Sequence, residues 1–282
     1  MSSSAATAGC SPTGTRRRSA SNKPQELTAH SSIIEEARRF QPSGQSKETG
    51  RVSSHIGIVG VSPEGAAVFF RQIIHHATTR RAPNDQPRIS IHNEPLSMYL
   101  DGIRRGDWHS VDRLLRRSAE LLSRCGCTIV MTPDNVVQHA VHMAEVGSPV
   151  PWLGMPDLVA TSVSNDKRKV VGLIGTSLVT SASTYQTHLG LKGVQVLSPE
   201  PGESETMDQI IYGELIFGQI RPESRLAVLQ IIANFAHRGC DGVILACSEA
   251  PLLITRENSP LPVYDAADIL AETAVCMMPQ AR

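Results

Sequence analysis

Aromatic side chains are scarce, at 4% of the 282 positions, and the charges cancel, with 27 Lys plus Arg against 27 Asp plus Glu. Few rings and no excess of basic residues leave neither a stacking platform nor an electrostatic footprint for nucleic acid or an anionic membrane. Long apolar runs are missing too: stretches such as Val243 to Ala246 are strand-sized, against about 20 residues needed to cross a bilayer. The expectation is a soluble protein with a small-molecule partner, and no nucleic acid or membrane. The six cysteines, Cys10, Cys125, Cys127, Cys240, Cys247 and Cys276, match neither a paired zinc-ligand spacing nor a two-residue redox spacing. No metal site is expected, and the thiols are expected to be reduced in a cytoplasmic compartment.

What is present is enough apolar residue, 40% of the chain, to build a real core. Residues 1–53 stand apart: they are rich in Ser, Thr, Ala and Arg, include the run Arg16, Arg17, Arg18, and lack a sustained apolar period. They are expected to form a disordered tail, and the absence of acids before Glu26 also fits an organellar transit peptide. From His55 onward, short apolar β-like runs alternate with amphipathic stretches, the rhythm of a parallel sheet covered by helices. Strands are expected at Ile56–Gly60, Arg88–His92, Thr128–Met131 and Trp152–Leu153, then at Val170–Ile174, Val194–Leu197, Gly242–Ala246 and Pro262–Tyr264. These make two sets of four. Gly57–Gly60 reads like Gly172–Gly175, and Cys127–Thr132 like Asp241–Cys247, which hints at two similar α/β lobes.

Ligands of open α/β sheets sit beyond the carboxyl ends of the strands. The positions that matter are therefore Ser62 and Glu64 after the first run, Thr132, Asp134 and Asn135 after the third, Thr176 and Thr180 after the fifth, and Cys247, Ser248 and Glu249 after the seventh. Each has a bland alternative. A free cysteine such as Cys247 is most often an inert core thiol, although a helix starting near Ser248 would stabilise its thiolate. Asp134 is placed to cap a helix through Val136–Glu145. Gly57–Gly60 is not a dinucleotide fingerprint, because Val61, Ser62 and Pro63 break the glycine spacing.

Several segments together resemble the aspartate/glutamate racemase family, in the expected order from about His55 to Val275. They are Gly57-Ile58-Val59-Gly60-Val61-Ser62-Pro63-Glu64, Gly106-Asp107-Trp108, Pro133-Asp134-Asn135 with His139, Gly172-Leu173-Ile174-Gly175-Thr176, Ile211-Tyr212-Gly213-Glu214-Leu215, Val243 through Leu253 around Cys247-Ser248-Glu249, and Leu261-Pro262-Val263-Tyr264-Asp265. The resemblance implies an α/β fold of two similar lobes, each a four-stranded parallel sheet flanked by helices, with the active site in the cleft between them. The first lobe is expected at 54–165, completed by 262–282, and the second at 166–261.

The resemblance further implies a homodimer and a cofactor-independent isomerase acting on aspartate, glutamate or a related amino acid. Its mechanism would be two-base: one acid/base group from each lobe faces opposite sides of the α-carbon, and hydrogen-bond donors hold the carboxylate. The catalytic pair would be Cys247 and Asp134, with Ser62, Asn135, Thr176, Thr180, Ser248 and Glu249 binding substrate. Asp134 stands where the family usually has a first cysteine, Gln138 where it has a histidine (His139 is one place later), and Ser177 where an arginine often follows the Gly-Thr pair. Two other readings remain open: a malonate-type decarboxylase using Cys247 alone, and a catalytically silent ligand-binding homologue.

Overall fold

A computed structural model describes residues 54–82 and 85–279; the expected tail lies outside the described residues. The first sheet contains β1 (His55–Gly60), β2 (Arg88–Asn93) and β3 (Ile129–Met131), all parallel in the order β2-β1-β3. β1 is buried along its whole length, which is why it reads as a continuous apolar run and not as an alternation. Gly57 is required there, since a Cβ would lie 2.8 Å from Val130 Cγ1.

The second sheet contains β4 (Val170–Ile174), β5 (Gln195–Leu197), β6 (Gly242–Leu245) and β7 (Val263–Asp265), parallel in the order β5-β4-β6-β7. The two orders follow one scheme: the first strand of each lobe is central, the second lies on one side and the third on the other. The fourth position differs. In the first lobe the expected strand at Trp152–Leu153 is reduced to one isolated parallel bridge, Val130 to Trp152. Pro149, Pro151 and Gly154 crowd that segment, and prolines cannot donate to a ladder.

Helices cover both sheets. In the first lobe they are α1 (Pro63–Arg80), α2 (Leu96–Arg104), α3 (Trp108–Arg124), α4 (Gln138–Glu145) and α5 (Met155–Asn165). The second lobe adds α6 (Ser177–Thr180), α7 (Thr184–Gly190), α8 (Pro201–Gly213) and α9 (Pro222–His237), and α10 (Ala266–Met277) closes the described chain. Helix α1 starts at Ser62, whose Oγ accepts from the Gly65 amide, with Pro63 in the first turn, the arrangement expected of a helix start.

The C-terminal segment divides differently from the expected boundary. β7 is hydrogen-bonded to β6 within the second sheet, whereas α10 packs against α1 and α5. One apolar cluster runs from Ile56 and Phe69 through Leu158 and Leu270 to Leu173 and Ile244, so the lobes share a core. That shared core sets the carboxyl ends of β1 and β3 against those of β4 and β6.

Candidate active site

The turn after β1 presents the amides of Val61 and Ser62, and both are taken by one carboxylate. Val61 N–H donates to Asp134 Oδ2 at 3.1 Å and Ser62 N–H to Asp134 Oδ1 at 3.2 Å. Asp134 therefore does not cap the helix that follows it. That stretch opens as a 3-10 turn over Asn135–Val137 with no side-chain cap bond, and α4 begins only at Gln138. Gln138 is buried, its Nε2 donating to the carbonyls of Thr132 and Asp134, each at 3.2 Å. His139 is exposed and lies edge-on to Trp108. Of the two, it is Gln138 that is buried against the Asp134 turn, and His139 points away from it.

Ser62 joins the lobes. Its Oγ donates to Glu249 Oε1. Glu249 Oε2 in turn accepts from Ser248 Oγ at 2.9 Å and from the Cys247 thiol at 3.2 Å. The close approach of α1 to this loop depends on Gly65: a Cβ there would lie 2.9 Å from Ser248 Cβ. Asp134, Ser62, Glu249, Ser248 and Cys247 thus form one contiguous hydrogen-bonded cluster across the lobe boundary. It is closed to solvent, with relative exposures of 5% for Asp134, 3% for Glu249 and 7% for Cys247.

The electrostatics follow from this enclosure. Burial, with the nearby Glu249 carboxylate, pushes Asp134 up to about 7, although the Val61 and Ser62 amides and the Thr132 hydroxyl pull the other way. Burial and Glu249 push the Cys247 thiol well above its ordinary range, against the amides of Glu249 and Ala250. The expected helix start after Cys247 is absent: only a 3-10 turn, Ala250–Leu252, follows β6. The free protein accordingly holds Cys247 as a thiol, contrary to the expectation of a thiolate stabilised by a helix start.

The remaining expected site residues are less uniformly placed. Asn135 accepts from Tyr185 Oη at 2.5 Å, a contact between lobes. Thr176 is buried, and its hydroxyl lies beside the phenol of Tyr212. Thr180 is buried, but its hydroxyl faces the Ser177 carbonyl at 3.5 Å, and no bond joins it to the cluster. Ser177 N–H donates to Asp208 Oδ1 at 2.8 Å.

Three further residues escaped the sequence reading. Tyr185 reaches Asn135 across 50 positions, a pairing only the fold creates. Tyr212 lies within a matched segment, but its proximity to Thr176 and Cys247 has no local signal. Asn93 pairs in register with Gly60 at the end of β2 and sits where a Gly60 Cβ would be, its Nδ2 buried without a partner. Examining the carboxyl end of every strand would have found it. Among the described residues, no group of three or more His, Cys, Asp or Glu is placed to hold a metal ion. No described helix is long and apolar enough to cross a membrane.

Comparison with known proteins adds the following. The family model described as Asp/Glu/Hydantoin racemase matches residues 58–274. The broad specificity amino-acid racemase RacX of Bacillus subtilis is 21% identical over 224 residues, covering 78% of this chain and 96% of its own. An aspartate racemase homologue from Pyrococcus horikoshii superposes with a TM-score of 0.69 at 24% identity, over 79% of this chain and 98% of its own. Glutamate racemase from Francisella tularensis, solved with D-glutamate, superposes with a TM-score of 0.58 at 14% identity, over 78% of this chain and 79% of its own. At these identities the two structures speak for the fold alone.

Proposed function

The chain belongs to the Asp/Glu/hydantoin racemase family, and from that premise we propose that it is an amino-acid racemase or epimerase working by two-base proton transfer at the α-carbon. The observation that carries this reading is the convergence of Asp134, from the first lobe, and Cys247, from the second, on one buried cluster linked through Ser62 and Glu249. Proton transfer at a carbon next to a carboxylate needs a base whose pKa lies near working pH, and Asp134 at about 7 meets that requirement where an ordinary carboxylate does not. The resting pair is then asymmetric: Asp134 as base and the Cys247 thiol as acid.

In this mechanism the lobes part to admit substrate, and the Ser62–Glu249 bond yields. Asp134 takes the α-hydrogen from one face while the Cys247 thiol delivers a proton to the other. The thiolate left behind is held by the amides of Glu249 and Ala250, which already point at the sulfur. Negative charge spreading onto the substrate carboxylate requires donors, and the buried Thr176 hydroxyl beside the Tyr212 phenol is in place to supply one. Substrates are drawn from amino acids, the family description naming aspartate and glutamate.

The test is solvent deuterium incorporation at the α-carbon, with single enantiomers and with Cys247→Ser. The wild type is expected to exchange and invert, and Cys247→Ser to lose inversion by at least about a hundredfold, the range of a lost general acid or base. Inversion undiminished in Cys247→Ser would remove the two-base reading. A second reading, a malonate-type decarboxylase protonating from one face, is favoured by the Cys247 thiol form and by the amide hold on Asp134. Carbon dioxide release from malonates without α-exchange on any amino acid would select it.

A further inference from the structure

Asn135 follows Asp134 beyond the carboxyl end of β3, where ligands of open α/β sheets bind, and the turn it opens packs against α6 of the second lobe. Two neighbours orient its side-chain amide. The Pro133 carbonyl, an acceptor with no hydrogen to give, stands 3.4 Å from Nδ2, so the nitrogen and not the oxygen belongs on that side. Oδ1 is thereby turned to Tyr185, whose hydroxyl donates to it at 2.5 Å. Burial, with Asp265 nearby, pushes the Tyr185 phenol far up, so it keeps its proton and stays a donor. Tyr185 is itself firmly placed. Its ring is buried in the apolar cluster that both lobes share. Its helix, α7, packs on α5 of the first lobe, where His188 Nδ1 meets Asp157 Oδ1 at 2.5 Å. The hydroxyl therefore reaches Asn135 from a support seated on Asn135's own lobe.

We infer that Tyr185 is a positioning residue for the proton transfer: its hydroxyl, held by Asn135 Oδ1, fixes the Asn135 amide with an N–H turned to the substrate carboxylate. The inference rests on the proton-transfer reading of the same site and deepens it. An asparagine nitrogen carries two N–H groups. The Pro133 carbonyl takes one of them at long range, and the other serves the substrate. An amide free to turn over would also present its oxygen, and an acceptor facing a carboxylate whose charge is growing repels it. A donor already aimed costs no reorganisation at the moment of reaction, which is when it stabilises the developing charge most. Because that gain is realised in the transition state, its loss lowers kcat and leaves KM nearly unchanged.

Tyr185→Phe removes the hydroxyl and keeps the ring in the core. Solvent deuterium incorporation at the α-carbon would be measured on the full chain as wild type, Tyr185→Phe, Asn135→Ala and the double variant, with whichever common amino acid the wild type exchanges fastest. Tyr185→Phe is expected to lower kcat by about tenfold to a hundredfold, up to the loss of one transition-state donor, with little change in KM. In the Asn135→Ala background the same substitution should lower kcat by less than about twofold, since the two residues act as one unit. Asn135→Asp keeps an acceptor for Tyr185 but has no N–H to give, and should lose kcat at least as far as Tyr185→Phe. Wild-type kcat in Tyr185→Phe or in Asn135→Asp would overturn the inference and leave the proton-transfer reading standing. So would an equal loss from Tyr185→Phe in both backgrounds, because the hydroxyl would then act without Asn135. Exchange on no amino acid by the wild type would overturn the proton-transfer reading, and the inference with it.

Discussion

Replacing Asp134 with Asn changes one buried group and, above about pH 7, should move stability and turnover in opposite directions. The carboxylate receives the Val61 and Ser62 amides on its two oxygens, whereas a carboxamide has one oxygen. In Asp134→Asn the side-chain NH2 meets one of those amides, a buried donor is left unmatched, and the loss is about 1–3 kcal/mol. Against it stands the charge that is removed. Carrying this carboxyl from an ordinary value near 3.8 to about 7 corresponds to about 4 kcal/mol of native-state destabilisation once the group is ionised.

The folded-state value is the raised one, so the native chain holds this proton where the unfolded chain has released it. The stabilisation is complete below about 4 and is lost as pH rises through about 7. At pH 8 the Asn variant should therefore melt several degrees above the wild type, while at pH 4 it should melt below it. Asp265, the half-buried cap of α10, is also raised to about 7, so the wild-type slope between these pH values has two sources and the variant keeps one. Turnover should behave otherwise. Loss of the first-lobe base should lower α-hydrogen exchange by about 10²–10⁴-fold, and the wild-type kcat/KM should rise tenfold per pH unit up to about 7 and then level. Calorimetry and deuterium exchange on the same samples check both halves. Exchange at the wild-type rate in Asp134→Asn would refute the assignment of Asp134 as a base.

Two further perturbations bear on the closed cluster. Limited alkylation of the free protein at neutral pH, read by mass spectrometry, should modify the exposed Cys125 before Cys247, which is buried and held as a thiol; early labelling of Cys247 would contradict that account of its environment. Gly65→Ala places a methyl against Ser248, an overpacking worth about 1–3 kcal/mol. It should lower the melting temperature and depress turnover, and an unchanged kcat would show that the spacing between α1 and the Cys247 loop does not position the catalytic pair.

The strands were legible because buried parallel strands announce themselves as short apolar runs, and Val170–Ile174 was placed to the residue. What the sequence concealed were features decided by partners far along the chain. Asp134 followed by a helical stretch has the local pattern of a cap; only the arrival of Val61 and Ser62, more than 70 positions away, turns its carboxylate toward α1. Cys247 followed by Ser248 has the pattern of a helix start, yet only a 3-10 turn over Ala250–Leu252 forms there. The thiol environment is then set by Glu249 and by burial. The missing fourth strand of the first lobe was readable in principle, from prolines at 149 and 151.

A carboxylate facing a thiol has a consequence that two matched cysteines do not. On the proposed mechanism, the enantiomer whose α-hydrogen faces Asp134 meets an enzyme already in the right protonation state. The other enantiomer needs Asp134 protonated and Cys247 as thiolate, and both burial and the Glu249 charge oppose that thiolate. The interconversion of enantiomers has an equilibrium constant of one, so kcat/KM must be the same in both directions. The asymmetry can therefore enter only through kcat and KM separately: the enantiomer that needs the rarely populated form saturates at a higher concentration and, once bound to that form, turns over correspondingly faster. The charge of Glu249 acts on both members of the pair at once, raising Asp134 and Cys247 together. A neutral side chain at 249 would ease the thiolate and return Asp134 toward an ordinary acid, weakening the base on one face as it strengthens the one on the other.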